Sequence, residues 1–206
     1  MEIGDWTSLG SVAPLYRELR ELGLEANIAE LEVLGFTVVP PEKVGPPDFC
    51  DEVREALERT LLRRYGPTGL APERWANVND IQRFMLWEDT AFERLSWNPA
   101  GLGLAQHLLG TDCVLSLCAA WVKGPGEART GIHADYLDPA VNAQADYAVN
   151  CNMHFMLTDY TMTDGAISFV PGSHKWRRQA TPPESKYWAD RAIPVQAAKG
   201  SMVIWG

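Results

Sequence analysis

Hydrophobic positions recur at helical spacing through the first third of the chain. Leu15, Leu19 and Leu22 lie three or four residues apart between Ser11, which can cap a helix, and Gly23, which can end one. Ile28, Leu31 and Leu34 repeat the pattern as far as Gly35. Phe36-Thr37-Val38-Val39 then changes to a short strand closed by Pro40-Pro41. A further helix starts at Asp48, after Pro46-Pro47, with Val53, Leu57 and Leu61 on one face. Its last turn carries Arg63-Arg64, which suits the negative pole of the helix dipole, and Gly66-Pro67 stops it. Residues 68–97 are irregular and aromatic (Trp75, Phe84, Trp87, Phe92, Trp97), a pattern that predicts helices packed against a sheet. Asn98-Pro99 reads as the N-cap and first residue of a helix that stops at Gly110. His107 sits on that helix among apolar neighbours and reads as a packed or half-exposed histidine rather than a ligand.

After Gly110 the period shortens to that of strands. Residues 114–123 are apolar and β-compatible, and Gly124-Pro125-Gly126 turns the chain into Thr130-Gly131-Ile132-His133-Ala134-Asp135. Residues 136–148 are polar and irregular, either a lid over a site or a plain surface excursion. In the next strand, 149–159, Asn150, Asn152 and His154 alternate with Cys151, Met153 and Phe155. One polar face on a core strand suggests a barrel whose interior binds a ligand, the alternative being a half-exposed edge strand. Residues 165–170 form another strand ended by Pro171-Gly172-Ser173-His174-Lys175, and 177–191 read as a polar excursion. Ile193 to Val195, a turn at Lys199-Gly200 and the strand 201–205 close the chain. Helices come first and strands after, with no βαβ alternation, P-loop or internal repeat.

Charge narrows the partners. A formal net charge of −9 over 206 residues argues against a nucleic acid, which asks for a basic stripe, and against an anionic membrane surface. No apolar run is long enough to span a bilayer, and Met-Glu-Ile-Gly-Asp has no basic start, so a cytoplasmic location is expected. The four cysteines (Cys50, Cys113, Cys118, Cys151) show no C-x-x-C or zinc spacing and read as reduced, structural residues.

The segment His133-Ala134-Asp135 carries the candidate chemistry. If it is extended, both side chains point to one face and can supply two adjacent ligands of a 2-His-1-carboxylate triad, which leaves positions on Fe(II) open for a co-substrate and O2. With 4 His and 12 Asp in the chain, about 0.2 such pairs arise by chance, and a surface H-x-D is the plain alternative.

Further residues carry a family resemblance. Asp164-Gly165-Ala166-Ile167-Ser168-Phe169-Val170-Pro171-Gly172-Ser173-His174-Lys175, about forty residues after H-x-D, resembles the signature of the phytanoyl-CoA dioxygenase family. Lys199-Gly200-Ser201-Met202-Val203-Ile204-Trp205 resembles its last core strand, and Leu34-Gly35-Phe36-Thr37-Val38-Val39-Pro40 its N-terminal Gly-Phe segment. The resemblance implies a mainly β fold, a double-stranded β-helix (jelly-roll, cupin-like) core with N-terminal helices packed on one sheet. Residues 1–110 would be mostly helical support and 111–206 the core strands of one oxygenase domain. It also implies an Fe(II)- and 2-oxoglutarate-dependent dioxygenase that hydroxylates a small organic molecule with O2 and releases succinate and CO2.

Carried over by position, His133 and Asp135 are the iron ligands, and Asn152 and His154 lie on the strand that lines the 2-oxoglutarate pocket. His174 belongs to a turn that is structural in the family. Related halogenases replace the carboxylate with a small residue, so Asp135 favours hydroxylation or desaturation. The family's second iron-binding histidine, and the basic partner of the far 2-oxoglutarate carboxylate, follow the strand that ends here at Gly206; the sequence therefore reads as a truncated domain. The alternative is a non-catalytic small-molecule-binding jelly-roll that has lost its metal site. A zinc hydrolase finds no H-E-x-x-H to support it.

Overall fold

The structure, a computed structural model, describes residues 13–126, 129–135 and 145–206. Ser11 and residues 136–144, most of the segment read as a lid or a surface excursion, lie outside the described residues. The first helix among the described residues, α1, is Ala13–Glu21, with Leu15 and Leu19 buried. Helix α2, Glu25–Leu34, buries Leu31 and ends at Gly35, whose φ of 86° is left-handed and whose N–H returns to the Leu31 carbonyl. Strand β1 is Phe36–Val39. A short α3, Pro41–Val44, starts on the second proline of the pair and leads to α4, Phe49–Tyr65, which buries Val53, Leu57 and Leu61 as its spacing requires.

The irregular segment holds four 3-10 turns, strand β2 (Asn79–Gln82) and a single-turn α5, Glu93–Ser96. Arg63 and Arg64 pin it to α4 through Glu88, at 3.0 and 2.8 Å. Its aromatics divide. Trp75 and Phe92 enter the core, as packing predicts, but Phe84, Trp87 and Trp97 stay exposed. Asn98 then caps α6, Pro99–Leu109, accepting from the Gly101 N–H at 3.0 Å and donating to the Val44 carbonyl.

Among the described residues three antiparallel sheets follow. Strands β3 (Ala120–Lys123), β4 (Asn152–Phe155), β5 (Ser168–Phe169), β6 (Ile193–Pro194) and β7 (Met202–Trp205) pair in the orders β1-β7-β4, β2-β3 and β5-β6. Helix α7, Pro182–Trp188, breaks the expected excursion, opened by a Thr181–Glu184 capping box. In the three-stranded sheet, Phe36 and Asn152 both pair with Trp205, and Val38 and His154 both pair with Val203. These residues therefore share one face. Thr37, Val39, Met153, Phe155, Met202 and Ile204 share the other, against α1, α2 and α6.

That helix-backed layer is the main core. Leu19, Leu104, Met202 and Ile204 are fully buried in it, each worth about 1.5–3 kcal/mol of burial. Gly101 allows the close approach, since a Cβ there would lie 2.9 Å from the Met153 sulfur. The opposite face meets the small β5-β6 sheet, where the Phe36 and Phe169 rings stack at 4.5 Å. A separate cluster ties Ala120 and Val122 of β3 to α4.

The ladders are shorter than the apolar runs. Of 114–123 only Ala120–Lys123 pairs, while Val114, Leu115 and Leu117 are exposed. The physical reason is the partner: β2 ends at Gln82, opposite Ala120, and one further bond, Met85 N–H to the Cys118 carbonyl, continues the contact. Residues 149–159 and 165–170 likewise form strand only over Asn152–Phe155 and Ser168–Phe169, with backbone bonds at Met156 and Ile167 continuing the contact. The described residues hold more helix than strand, and β1 and β2, both before residue 110, belong to sheets completed by β7 and β3. Among the described residues no helix is long and apolar enough to cross a membrane.

Candidate active site

The site grows from the face of β4 and β7 that carries Trp205. Alternation puts Asn152 and His154 of β4 on the side of Trp205, as the polar–apolar pattern of 149–159 predicts. The segment 129–135 reaches this face at Asp135 without joining a ladder, bending at Ile132 and at Asp135. The expectation of an extended H-x-D strand is thus corrected: His133 and Asp135 converge through hydrogen bonds rather than through a pleat. Asp135 Oδ2 accepts from Asn152 Nδ2 at 2.9 Å and from Trp205 Nε1 at 2.8 Å. Asp135 Oδ1 lies 3.1 Å from His133 Nε2, and His133 Nδ1 is 2.7 Å from the Gly131 carbonyl. The Ala134 N–H, donating to Gln179 Oε1 at 2.7 Å, holds the residue between them.

Both nitrogens of His133 therefore face oxygen acceptors. A neutral imidazole has one N–H, so the arrangement needs either a second proton or a cation at Nε2. Where no cation is bound, a proton takes that place. The Asp135 carboxylate, helped by the Gly131 carbonyl and opposed by burial, raises the His133 pKa to about 9. The same contact lowers the Asp135 pKa, against burial and with help from Trp205. Two ligands at right angles about 2.1 Å from an ion stand about 3 Å apart, so this imidazole and carboxylate suit adjacent positions on a divalent metal.

His154 is held neutral. Burial pushes its pKa down to about 4; Asp135 opposes that shift and Lys123 reinforces it. Its ring meets Trp205 edge-on at 4.7 Å and lies 6.5 Å from Trp121. Lys123 reaches across to the Gly165 carbonyl and to the Tyr160 hydroxyl, 3.4 Å away. The remaining histidines sit elsewhere. His107 bridges Tyr16 and Glu32 in the helical layer, and His174 covers Gly35. Burial raises the pKa values of Cys50, Cys118 and Cys151, the last to about 11, so these thiols are protonated at neutral pH.

The structure brings together His133, Asp135 and Asn152, with His154 beside them. Among the described residues no group of three His, Cys, Asp or Glu side chains converges as a metal-ligand set. Open recesses of about 580 and 300 Å³ border Trp75 and Arg59 respectively, and neither is lined by these site residues. Trp205 is the residue that sequence reasoning missed. The alternation Val203, Trp205 on a strand opposite the polar face of β4 was the available signal.

Comparison with known proteins follows this geometry. The profile of the phytanoyl-CoA dioxygenase (PhyH) family matches residues 31–206. Dioxygenase af480 of Aspergillus fumigatus is 28% identical over 187 residues, 89% of this chain and 59% of that protein. The uncharacterized protein Mb1539 of Mycobacterium bovis is 26% identical over 187 residues, 85% of this chain and 63% of its own length. The chain thus spans about three-fifths of the length of the curated relatives it matches. The crystal structure of HygX from Streptomyces hygroscopicus with nickel and 2-oxoglutarate bound superposes with a TM-score of 0.60 at 16% identity, covering 88% of this chain and 76% of that one. The HygX structure that also holds hygromycin B gives 0.55 at 15% identity, covering 88% and 77%. At this identity the likeness shows a shared fold.

Proposed function

Because the chain belongs to the phytanoyl-CoA dioxygenase family, we propose that it is a non-haem Fe(II)- and 2-oxoglutarate-dependent dioxygenase that hydroxylates a small organic molecule. The β1-β7-β4 sheet and the facing β5-β6 pair are read as parts of a jelly-roll, and residues 1–206 as belonging to one oxygenase domain in the cytoplasm. The observation that carries the reading is the 3.1 Å meeting of His133 Nε2 with Asp135 Oδ1, while Nδ1 is already committed to Gly131. The residues fit a divalent metal, with His133 and Asp135 as ligands and an imidazole–carbonyl bond behind one of them. Iron with 2-oxoglutarate supplies the oxidant when bound: one oxygen atom of O2 enters succinate, the other becomes the substrate hydroxyl, and CO2 leaves.

The protein's own part is to hold and to exclude. Asn152 and Trp205 anchor Asp135, and the Trp205, Phe169 and His154 rings form an apolar wall beside it. We read His154, uncharged at neutral pH, as lining the co-substrate pocket. Asn152 is read as lining the same pocket, with its amide N–H committed to Asp135.

A second reading, a non-catalytic binding barrel, draws on the fact that two rather than three candidate ligands converge among the described residues. The test is succinate formation from 2-oxoglutarate by the iron-loaded protein. His133→Ala and Asp135→Ala are expected to abolish it while the far-UV circular dichroism stays unchanged. Unchanged turnover in either variant overturns the assignment, and no iron bound by the wild type favours the second reading.

A further inference from the structure

One carboxylate oxygen can accept two in-plane hydrogen bonds, and Asp135 Oδ2 has two N–H donors at 2.9 and 2.8 Å. The donors are not independent surface groups. Asn152 and Trp205 are direct cross-strand partners in the β4-β7 ladder, so their side chains rise from one rung on the same face. Trp205 is fixed further by Phe36 across the next ladder and by the Phe169 and His154 rings at 5.2 and 4.7 Å. An indole N–H donates and cannot accept, so Trp205 cannot compete for a cation.

We infer that Asn152 and Trp205 are positioning residues that make Asp135 a one-oxygen ligand, holding Oδ2 away from the metal and leaving Oδ1 beside His133. The inference rests on the iron-site reading above. A carboxylate that swings to bind through both oxygens takes up a position that the facial arrangement leaves for co-substrate and O2. Two donors on one rung prevent that swing. They also explain why the H-x-D segment needs no ladder of its own: the closing strand supplies its anchor.

The test uses Co(II) as the probe on the full-length protein, read by titration calorimetry and by the visible absorption of bound Co(II), with folding checked by far-UV circular dichroism. Trp205→Phe keeps the aromatic wall and removes the N–H; Asn152→Leu keeps the shape and removes the amide. Each is expected to weaken Co(II) binding about 10–100-fold and to shift the visible bands. Trp87→Phe, at a residue 87% exposed, leaves both unchanged. Wild-type affinity and bands in both positioning variants overturn the inference and leave the iron reading standing. A wild type that binds no Co(II), or a His133→Ala variant that binds it equally well, removes the iron reading and this inference with it. Should Trp205→Phe fail to fold, Asn152→Leu decides by the same outcomes.

Discussion

His154 makes an acid-sensitive stability that can be measured without substrate or metal. Its imidazole, ordinarily near 6.5, is pushed down to about 4 by burial among Trp205 and Trp121, with Asp135 opposing and Lys123 reinforcing. Above pH 6.5 both the folded and unfolded chains carry it neutral, and it costs nothing. Between 6.5 and 4 the unfolded chain takes up a proton that the folded chain refuses, so stability falls with acidification; below about 4 the loss levels off. At 1.36 kcal/mol per pH unit, the loss accumulated by pH 4.5 is about 2.5 kcal/mol. His133 works in the opposite sense. Its raised pKa, about 9, gives a contribution complete below 6.5 and lost as pH rises towards 9, so it adds no slope in the acid window. The perturbation is His154→Phe, which keeps a ring against Trp205 and cannot charge. Urea unfolding in EDTA, followed by tryptophan fluorescence between pH 7.5 and 4.5, reads the difference. Wild type is expected to lose about 2.5 kcal/mol more than the variant, a gap of about 1 M in midpoint for a urea slope of about 2 kcal/mol/M. Parallel declines of the two proteins refute the reasoning.

Gly35→Ala is expected to cost more than the ~1–2 kcal/mol of a left-handed residue, because its Cβ would also stand 2.4 Å from His174 Nδ1; thermal unfolding of Gly35→Ala with and without His174→Ala separates the two parts. Leu104→Ala, at a fully buried contact between α6 and the sheet, is expected to lose about 2–5 kcal/mol in urea unfolding. Because His133 is protonated in the metal-free site, metal binding at pH 7.5 is expected to release about one proton, and affinity to rise about tenfold per pH unit up to about 9. Calorimetry in buffers of different ionisation enthalpy measures that proton, and a pH-independent affinity contradicts it.

Where the chain carried its own local instructions, they were readable. Gly35 and Pro40 bracket β1, Asn98-Pro99 opens α6, and the alternation of 149–159 assigned both faces of β4 correctly. Strand β2 was not readable, since Asn79-Asp80-Ile81-Gln82 has no apolar alternation; it is a strand because β3 pairs with it from forty residues away, and Gln82 is buried on Arg64 and Tyr65. Helix α7 was missed although Thr181-Pro182-Pro183-Glu184 carries a capping box. The strand lengths of 114–123 and 165–170 were overstated because an apolar pattern records what can be buried, and a ladder also needs a neighbour.

The same distinction governs the candidate site. The residue types of His133-Ala134-Asp135 were legible, but the side chains meet on a bent segment, so pleat alternation is not the cause of their meeting. The cause is Trp205, seventy residues on, together with Asn152, and both depend on β7 lying between β1 and β4. Site and sheet are therefore one folding unit: loosening β7 frees Asp135, and a cation that binds His133 and Asp135 stabilises β7 in turn. Any ligand that binds only the folded chain raises its stability by mass action, so divalent metal should protect the β7 amides from hydrogen exchange along with the 131–135 segment. If the metal protects the segment alone, the pair is held locally and the closing strand has no part in it.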